Sequence, residues 1–268
     1  MRTPLYLILL LFIIYEVNSQ SIYQTIGAEN IGIANCTANT ENIWSGFHNS
    51  AGLASINSVE FSTHFNVFYG EIGLLSSAAA FVLPIKSGSI FLGISRFGNS
   101  IYNEHKLSLA YGSKIGIIQL GGRINYLQYQ IQDFGSLKSY SIDLGVQAAI
   151  TPQLSIGAYA NNISRASLNK EQQVYIPSLL YMGLKYTPMP YFKFYLEVEK
   201  NLALKATFKS GVSYKLKNKW YFSSGIRIDS WESFYGTGFR FLKLNFNYAY
   251  QLHPILGSSH AVDLGFKL

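Results

Sequence analysis

The chain has 268 residues, with 21 Lys and Arg against 14 Asp and Glu, a single Cys, and 20 Tyr, 18 Phe and 3 Trp. Charged residues make up 13% of the chain, about half of the roughly 25% found in typical globular proteins. The apolar and aromatic content excludes a disordered chain, and one Cys excludes an internal disulfide scaffold. Only the N-terminus approaches the apolar run of about 20 residues that a membrane-spanning helix needs, so the composition indicates a large β-protein.

Residues 1–19 have the features of a secretory signal peptide. Arg2 supplies a positive charge, an apolar run follows it, and Val17 and Ser19 are small enough to precede a cleavage site. A membrane anchor is the alternative, but the run is short for a span and no basic cluster follows it. The sequence therefore predicts an exported protein whose mature chain begins at Gln20.

From Val59 onward, segments of about ten residues alternate apolar and polar side chains and then break at a turn. In the last segment Val262 and Leu264 fall on one face, while Asp263 falls on the other. This period of two is that of a β-strand, and helical spacing does not fit it. We count about fourteen such segments, a number that suits a transmembrane barrel. The predicted strands are 59–68, 73–84, 88–96, 104–112, 117–129, 138–150, 153–163, 176–186, 190–199, 205–215, 219–228, 233–241, 242–251 and 259–268.

The connections between these segments alternate in predicted length. Short ones include Lys86-Ser87 and Thr151-Pro152, whereas longer ones include Phe97–Asn103, Gln130–Leu137 and Ser164–Tyr175. Short turns at one end and long loops at the other are typical of outer-membrane barrels, whose short turns face the periplasm. The order of the segments places both the start of the first strand and the C-terminus at that periplasmic end.

A soluble β-sandwich is the competing architecture, because it also alternates and also turns every ten or so residues. The polar faces here are rich in Gly, Ser, Asn and Tyr with few charges, which suits a lumen better than a solvated exterior. These features favour an all-β fold, a transmembrane antiparallel β-barrel of about 14 strands over residues 58–268, located in the bacterial outer membrane. The apolar faces end in tyrosines, as in an interfacial girdle: Tyr111, Tyr126, Tyr186, Tyr214, Tyr248 and Tyr250.

Residues 20–57 break the pattern, because they are too polar and too rich in Gly and Asn for a strand of the wall. They contain the stretch 27–34, which reads G-A-E-N-I-G-I-A, and the stretch 44–54, which reads W-S-G-F-H-N-S-A-G-L-A. This pairing resembles the N-terminal region of FadL-like outer-membrane barrels. It is closer still to the PorV/PorQ type, many of whose members have Pro or Gln at the position of Ser50.

The resemblance implies a barrel whose lumen is partly filled by an N-terminal hatch, residues 20–57. FadL-like members move hydrophobic molecules across the outer membrane. PorV and PorQ types serve type IX protein secretion, by accompanying or attaching cargo proteins. For any single residue of the hatch, a packed turn inside the barrel is the plainer alternative. The candidate hatch and lumen residues are Gly27, Gly32, Trp44, Phe47, Asn49, Gly52 and Leu53.

The sequence offers little support for an enzyme. No histidines lie within metal-ligand spacing of each other, and there is no G-x-S-x-G elbow, no H-E-x-x-H and no P-loop. Glu197 and Glu199 suggest acid–base chemistry, but they share a strand face and are better explained as partners of Lys193 and Lys209. We therefore expect no catalysis, no cofactor and no metal site.

The net charge of +7 raises the question of a nucleic-acid partner. The basic residues form no single stripe, and the densest group is Lys215, Lys217 and Lys219 in one short turn. In the predicted orientation this turn faces the periplasm, where solvation or phospholipid head groups account for its charge. We expect no nucleic-acid partner.

Two functions follow for a monomeric barrel surrounded by outer-membrane lipid. The first, motivated by the stretch 44–54, is an accessory role in type IX secretion or surface attachment, with secreted cargo or secretion components as partners. The alternative is passive transport of a small hydrophobic ligand. Transport predicts a continuous apolar pocket behind the hatch, lined by residues such as Phe47, Leu53 and Phe68.

Overall fold

The computed structural model describes residues 24–71, 73–169, 174–202, 204–217 and 219–268. The predicted signal peptide, residues 1–19, lies outside the described residues. None of the helices in the described part of the chain combines the length and the apolar character needed to cross a bilayer.

The described residues form sixteen β-strands after a short helical region. One α-helical turn, α1 (Ala28–Ile31), is followed by two 3₁₀ helices at Ile43–Phe47 and Ser50–Ser55. The strands are β1 (Glu60–Val67), β2 (Leu75–Ile85), β3 (Gly88–Gly98), β4 (Tyr102–Ile115), β5 (Ile118–Ile131), β6 (Gly135–Ala149), β7 (Leu154–Asn161), β8 (Ser167–Asn169), β9 (Val174–Tyr175), β10 (Leu179–Met189), β11 (Phe192–Asn201), β12 (Ala206–Leu216), β13 (Trp220–Arg227), β14 (Glu232–Phe241), β15 (Leu244–His253) and β16 (Gly257–Lys267).

Fourteen of these strands form one closed antiparallel barrel in chain order, and β8 pairs with β9 in a separate small sheet. The barrel closes where β1 pairs with β16, which sets His64 opposite Asp263. Closure leaves no free sheet edge, so backbone groups find partners within the wall, as a lipid environment requires. The predicted barrel of fourteen antiparallel strands is confirmed, and each predicted segment overlaps one strand of the barrel.

As predicted, the outer face of the wall is apolar and the face toward the lumen is polar. In β6, Ile142 and Leu144 are exposed on the outside, whereas Ser141 and Asp143 are buried in the lumen. Aromatic rings mark the boundary of the outer apolar band. Tyr126 and Tyr140, for example, pair across β5 and β6 with ring centroids 5.4 Å apart.

Two of the three longer loops named above are shorter than predicted. The connections expected at Phe97–Asn103 and Gln130–Leu137 shrink to residues 99–101 and 132–134, because β4, β5 and β6 extend to 14, 14 and 15 residues. Above the apolar band, both faces of a strand lie in polar surroundings. The alternation of apolar and polar residues therefore ends there, although the backbone hydrogen bonds between strands continue. The exception is the long connection 162–178, which contains β8 and β9.

Residues 24–57 lie inside the barrel and are called the inner segment below. Most of its residues are buried, and its helical turns contact the inner faces of wall strands. Its apolar side chains pack against β2, β3 and β4 in the largest buried cluster, whose members are Ile26, Ile43, Trp44, Phe47, Leu53, Ile56, Ala78, Ala80, Val82, Phe91 and Ala110. The lumen is therefore filled at this level by the chain itself.

Candidate functional site

The inner segment follows the inside of the wall through most of a full turn. Ala28 hydrogen bonds to β16, and Gly32 lies against Gly236 of β14. Further along the chain, Ala38 approaches β7 and β10, and Asn49 hydrogen bonds to the backbone of β6. Because successive residues meet successive strands, the segment forms a ring that narrows the lumen from all sides.

Glycines of the wall make room for this ring. A Cβ atom on Gly121 would collide with the backbone of Ser50, and one on Gly211 would lie 2.5 Å from the carbonyl oxygen of Ile33. Neighbouring members are often directly paired, as Gly112 is with Gly121. We call these inward-facing residues the glycine belt: Gly112, Gly121, Gly145, Gly157, Gly183, Gly211, Gly225 and Gly236.

Asp263 anchors the beginning of the ring. Its Oδ2 accepts hydrogen bonds from the backbone N–H of Ala28 at 2.7 Å and from Nε1 of Trp44 at 3.0 Å. Its Oδ1 lies 2.6 Å from Nδ1 of His64 on β1. One buried carboxylate therefore joins the inner segment to both strands of the barrel seam.

Arg123 anchors the ring on β5. Its guanidinium pairs with Asp143 on β6 at 2.6 Å. Its Nη1 donates to the backbone carbonyls of Gly46 at 2.9 Å and His48 at 3.2 Å, and its Nη2 donates to Asn161. The planar guanidinium carries five N–H donors in a fixed arrangement, so it can bond to the wall and to the inner segment at the same time.

Glu197 provides a third anchor on β11. Its Oε2 accepts from the backbone N–H of Ala38 at 2.6 Å, and its Oε1 pairs with Lys209 on β12 at 3.1 Å. Lys209 also pairs with Glu199 at 2.6 Å. The predicted balance of these two glutamates by Lys209 is confirmed, and Glu197 is additionally a partner of the inner segment.

Asn49, a predicted hatch residue, links two parts of the ring to the wall. Its Oδ1 accepts from the backbone N–H of Ala51 at the start of the second 3₁₀ helix. Its Nδ2 donates to the carbonyl of Ala38 at 2.7 Å and to that of Val146 at 3.1 Å. The side chain thus satisfies backbone groups of turns that lack regular partners.

The predicted glycines of the inner segment occupy crowded positions. Gly27 has a φ of +102°, and a Cβ there would collide with the ring of Trp44. A Cβ on Gly52 would collide with the carbonyl oxygen of Thr40, and one on Gly32 would collide with the wall. The structure therefore places these glycines at close contacts, the packed-turn alternative raised from the sequence.

Phe47 and Leu53 belong to a packed core and do not line the expected apolar pocket. Phe47 is 2% exposed and meets Phe91 edge to face at 5.0 Å, and Leu53 is fully buried. Phe68 lies apart from both, in the connection between β1 and β2, against Phe97. The prediction of a pocket lined by these three residues is wrong, because the ring fills the space that it would occupy.

A large apolar groove lies instead on the outer face of the wall. Its volume is about 810 Å³, and it spans β4 to β7 and β10. Small side chains at Gly122, Ala158 and Ala160 form its floor, and larger apolar side chains border it. We call it the outer groove; its bordering side chains include Tyr111, Leu120, Leu144, Val146 and Leu180.

Two glycines belong to both the glycine belt and the outer groove. Gly121 and Gly145 line the groove, and each would clash with the inner segment if it carried a Cβ. At these positions only backbone separates the ring from the lipid side of the wall. The wall is reduced to backbone here, and the pairing of β5 with β4 and β6 is continuous across these residues.

The described residues hold no group of three or more His, Cys, Asp or Glu side chains arranged to bind a metal ion. Two reactive groups of the inner segment are inert by burial. Burial lowers the pKa of His48 to about 3, and burial raises the pKa of the Cys36 thiol well above its ordinary value. A neutral imidazole and a protonated thiol fit a packed interior.

The His64–Asp263 pair was missed from the sequence, although a signal for it exists. Both residues fall on the polar face of their strands, and closure of a barrel pairs the first strand with the last. Register across that seam sets them opposite each other. The bonds of Arg123 to Gly46 and His48 were missed as well, because they depend on the three-dimensional path of the ring.

Comparison with known proteins gives matches in structure alone. No family model matches the sequence, and no curated protein matches it. The toluene transporter TbuX of Ralstonia pickettii has a TM-score of 0.67 at 12% identity, covering 90% of this chain and 97% of that chain. The toluene transporter TodX of P. putida has a TM-score of 0.68 at 8% identity, covering 90% and 98%. A FadL homologue of Pseudomonas aeruginosa has a TM-score of 0.63 at 9% identity, with the same coverage.

These matches show the fold of a FadL-like outer-membrane β-barrel, which agrees with the predicted location in the bacterial outer membrane. The matched proteins are transporters or a transporter homologue, which agrees with the expectation of no enzymatic activity. They lend no support to the finer PorV/PorQ assignment or to a role in type IX secretion.

Proposed function

We propose that this protein is an outer-membrane channel for small hydrophobic molecules, closed in this state by the inner segment. The proposal reverses the order of preference drawn from the sequence. It rests chiefly on Gly121 and Gly145, where bare backbone lies between a buried ring in the lumen and an apolar groove facing the lipid. Similarity in fold to two toluene transporters adds support.

The chemistry of the wall favours lateral release over a water-filled pore. A hydrophobic solute gains about 25 cal/mol for each Å² of apolar surface removed from water. The outer groove offers such a surface directly at the lipid boundary, whereas the lumen below the ring is lined by charged and polar groups. Release through the groove therefore requires displacement of residues 49–51 and opening of the strand pairing at Gly121 and Gly145, which is continuous in this state.

Uptake of labelled toluene by cells that carry the protein in the outer membrane tests the proposal. Expression is expected to raise the initial uptake rate above that of cells with an empty vector. Ala160→Leu fills the floor of the outer groove and is expected to reduce the gain at least threefold. Ala79→Leu, on the outer face of β2 away from the groove, serves as the matched control.

Equal uptake with and without the protein, at matched amounts of folded barrel, would refute transport of this solute class. Equal reduction by both leucine variants would refute release through the groove.

A secretion role is the second candidate, and the stretch 44–54 is the observation that favours it. In the structure Trp44 and Asn49 serve packing and hydrogen bonding inside the barrel, so the motif has a structural explanation. Deletion of the protein separates the candidates. Loss of many surface proteins with unchanged toluene uptake supports secretion, and the opposite result supports transport.

A further inference from the structure

The positive charge of the chain is concentrated at the periplasmic end of the barrel. Within the described residues, an excess of six cations at that end accounts for most of the net charge of +7. The carboxylates there are Glu29, Glu41, Glu60 and Asp263. The cations are Lys86, Lys114, Lys185, Lys193, Lys215, Lys217, Lys219, Arg240, Lys243 and Lys267.

Part of this charge surrounds a recess inside the periplasmic mouth, below the inner segment. The recess has a volume of about 260 Å³. Its carboxylates already have partners: Glu60 pairs with Lys267 at 3.0 Å, and Glu41 pairs with Lys185 at 2.6 Å. Glu29 accepts from the hydroxyl of Tyr221. We call this cavity the periplasmic recess.

Four cations that line the recess form no ion pair within the described part of the chain. They are Lys193, Lys215, Arg240 and Lys243. They come from β11, β12, β14 and the turn before β15, and adjacent strands lie about 4.8 Å apart. The backbone positions of the four residues therefore span an arc of roughly 19 Å around the mouth, so several linked anionic groups match their number and distribution.

A smaller chamber of about 100 Å³ continues inward from the recess. It is lined by Lys185 and Lys193, by the already partnered carboxylates Glu29 and Glu41, and by Asn39, which is 3% exposed. Neither side-chain amide atom of Asn39 has a hydrogen-bond partner among the described residues. Buried amides normally have partners, so this donor is a feature of the chamber that an acceptor such as a carboxylate would satisfy.

We propose that the periplasmic recess binds an acidic peptide segment of a periplasmic protein, with several linked carboxylates contacting the four unpaired cations. Linked carboxylates match the width of the arc. Phospholipid head groups lie outside the wall, where they meet the turn residues Lys86 and Lys114, and cannot enter the mouth. This inference is independent of the transported solute.

The test uses the full-length folded protein in detergent micelles and a fluorescein-labelled peptide of eight glutamates, with binding followed by fluorescence anisotropy. The triple variant Lys193→Gln, Lys215→Gln, Arg240→Gln removes three charges from the recess. The matched control Lys86→Gln, Lys114→Gln, Lys217→Gln removes three charges from outer turns. The recess variant is expected to lose at least tenfold in affinity, and the control less than about twofold.

Heat-modifiable gel mobility establishes that each variant is a folded barrel. If the triple recess variant does not fold, Lys215→Gln alone is used, with an expected loss of about threefold. Equal losses in the recess and control variants would show non-specific attraction and overturn the proposal. So would the absence of saturable binding, or displacement of the peptide by inorganic phosphate or phosphatidylglycerol vesicles as efficiently as by unlabelled peptide.

Discussion

His64 and Asp263 face each other across the seam where the first strand of the barrel pairs with the last, with Nδ1 and Oδ1 2.6 Å apart. The same carboxylate holds the backbone of Ala28 and the indole of Trp44. The seam of the wall and the start of the inner segment therefore depend on one side chain.

Asp263→Asn is expected to weaken both the seam of the wall and the attachment of the inner segment to it. The neutral amide keeps the shape but loses the charge-assisted bonds to Ala28, Trp44 and His64, so the free energy of unfolding should fall by about 3 kcal/mol. Urea unfolding in detergent, followed by tryptophan fluorescence, measures this change. Asp229→Asn, at an exposed residue in the turn between β13 and β14, should change it by less than about 0.5 kcal/mol. A similar loss in both variants would contradict the anchoring role.

Gly121 and Gly122 provide an internal comparison, because adjacent residues of a strand face opposite sides. A Cβ on Gly121 collides with the inner segment, whereas a Cβ on Gly122 meets only a side-chain carbon of Leu144 at 3.7 Å. Gly121→Ala is expected to displace the ring and to raise ion conductance in planar bilayers. Gly122→Ala should leave conductance at the wild-type level. Equal conductance of the two folded variants would show that the glycine belt does not seat the inner segment.

Arg123→Lys tests whether the anchor on β5 needs a planar fork. A lysine keeps the charge but cannot reach Asp143, Gly46 and His48 together, so unfolding should become easier by about 2–4 kcal/mol. Limited proteolysis should also detect a loosened inner segment. Arg96→Lys, at an exposed arginine on the outer face of β3, is the control and should behave as wild type. An unchanged Arg123→Lys variant would mean that charge alone suffices.

His48 makes the stability of the protein depend on pH. Burial lowers its pKa to about 3 from an ordinary 6.5, so the folded state keeps the imidazole neutral while the unfolded chain takes up a proton below pH 6.5. Stability contributed by the neutral form is therefore lost as pH falls from 6.5 toward 3, by about 2 kcal/mol at pH 5 relative to pH 7.

Urea unfolding at pH 7 and pH 5 measures this loss, and His48→Gln should reduce the difference between the two pH values. The exposed His260 lies on the outer face of β16, and His260→Gln should leave the difference unchanged. A pH dependence that survives His48→Gln would assign it to other groups.

The wall could be predicted from the sequence, because a strand with lipid on one side and a polar lumen on the other has an alternating pattern. The upper parts of β5 and β6 escaped prediction, since the pattern ends where lipid ends. The inner segment is harder. Gly27 and Asn49 were named as hatch candidates, but no local pattern encodes which parts of the ring and wall they contact, such as Trp44 and Val146.

The outer groove likewise could not be predicted from a local sequence pattern. Gly122 and Ala158 are small residues in unrelated strands, and their combination into one floor appears only after β5 and β7 take their places beside β6. The preference for secretion drawn from the stretch 44–54 was likewise a local inference, because the sequence does not show which residues Trp44 and Asn49 contact.

The anchoring of Ala28 by Asp263 also has a consequence for assembly. Ala28, in the first turn of the inner segment, obtains its buried partner from β16, and that strand also closes the wall. Closure of the seam and docking of the inner segment therefore share one carboxylate, which couples the two events when the barrel assembles.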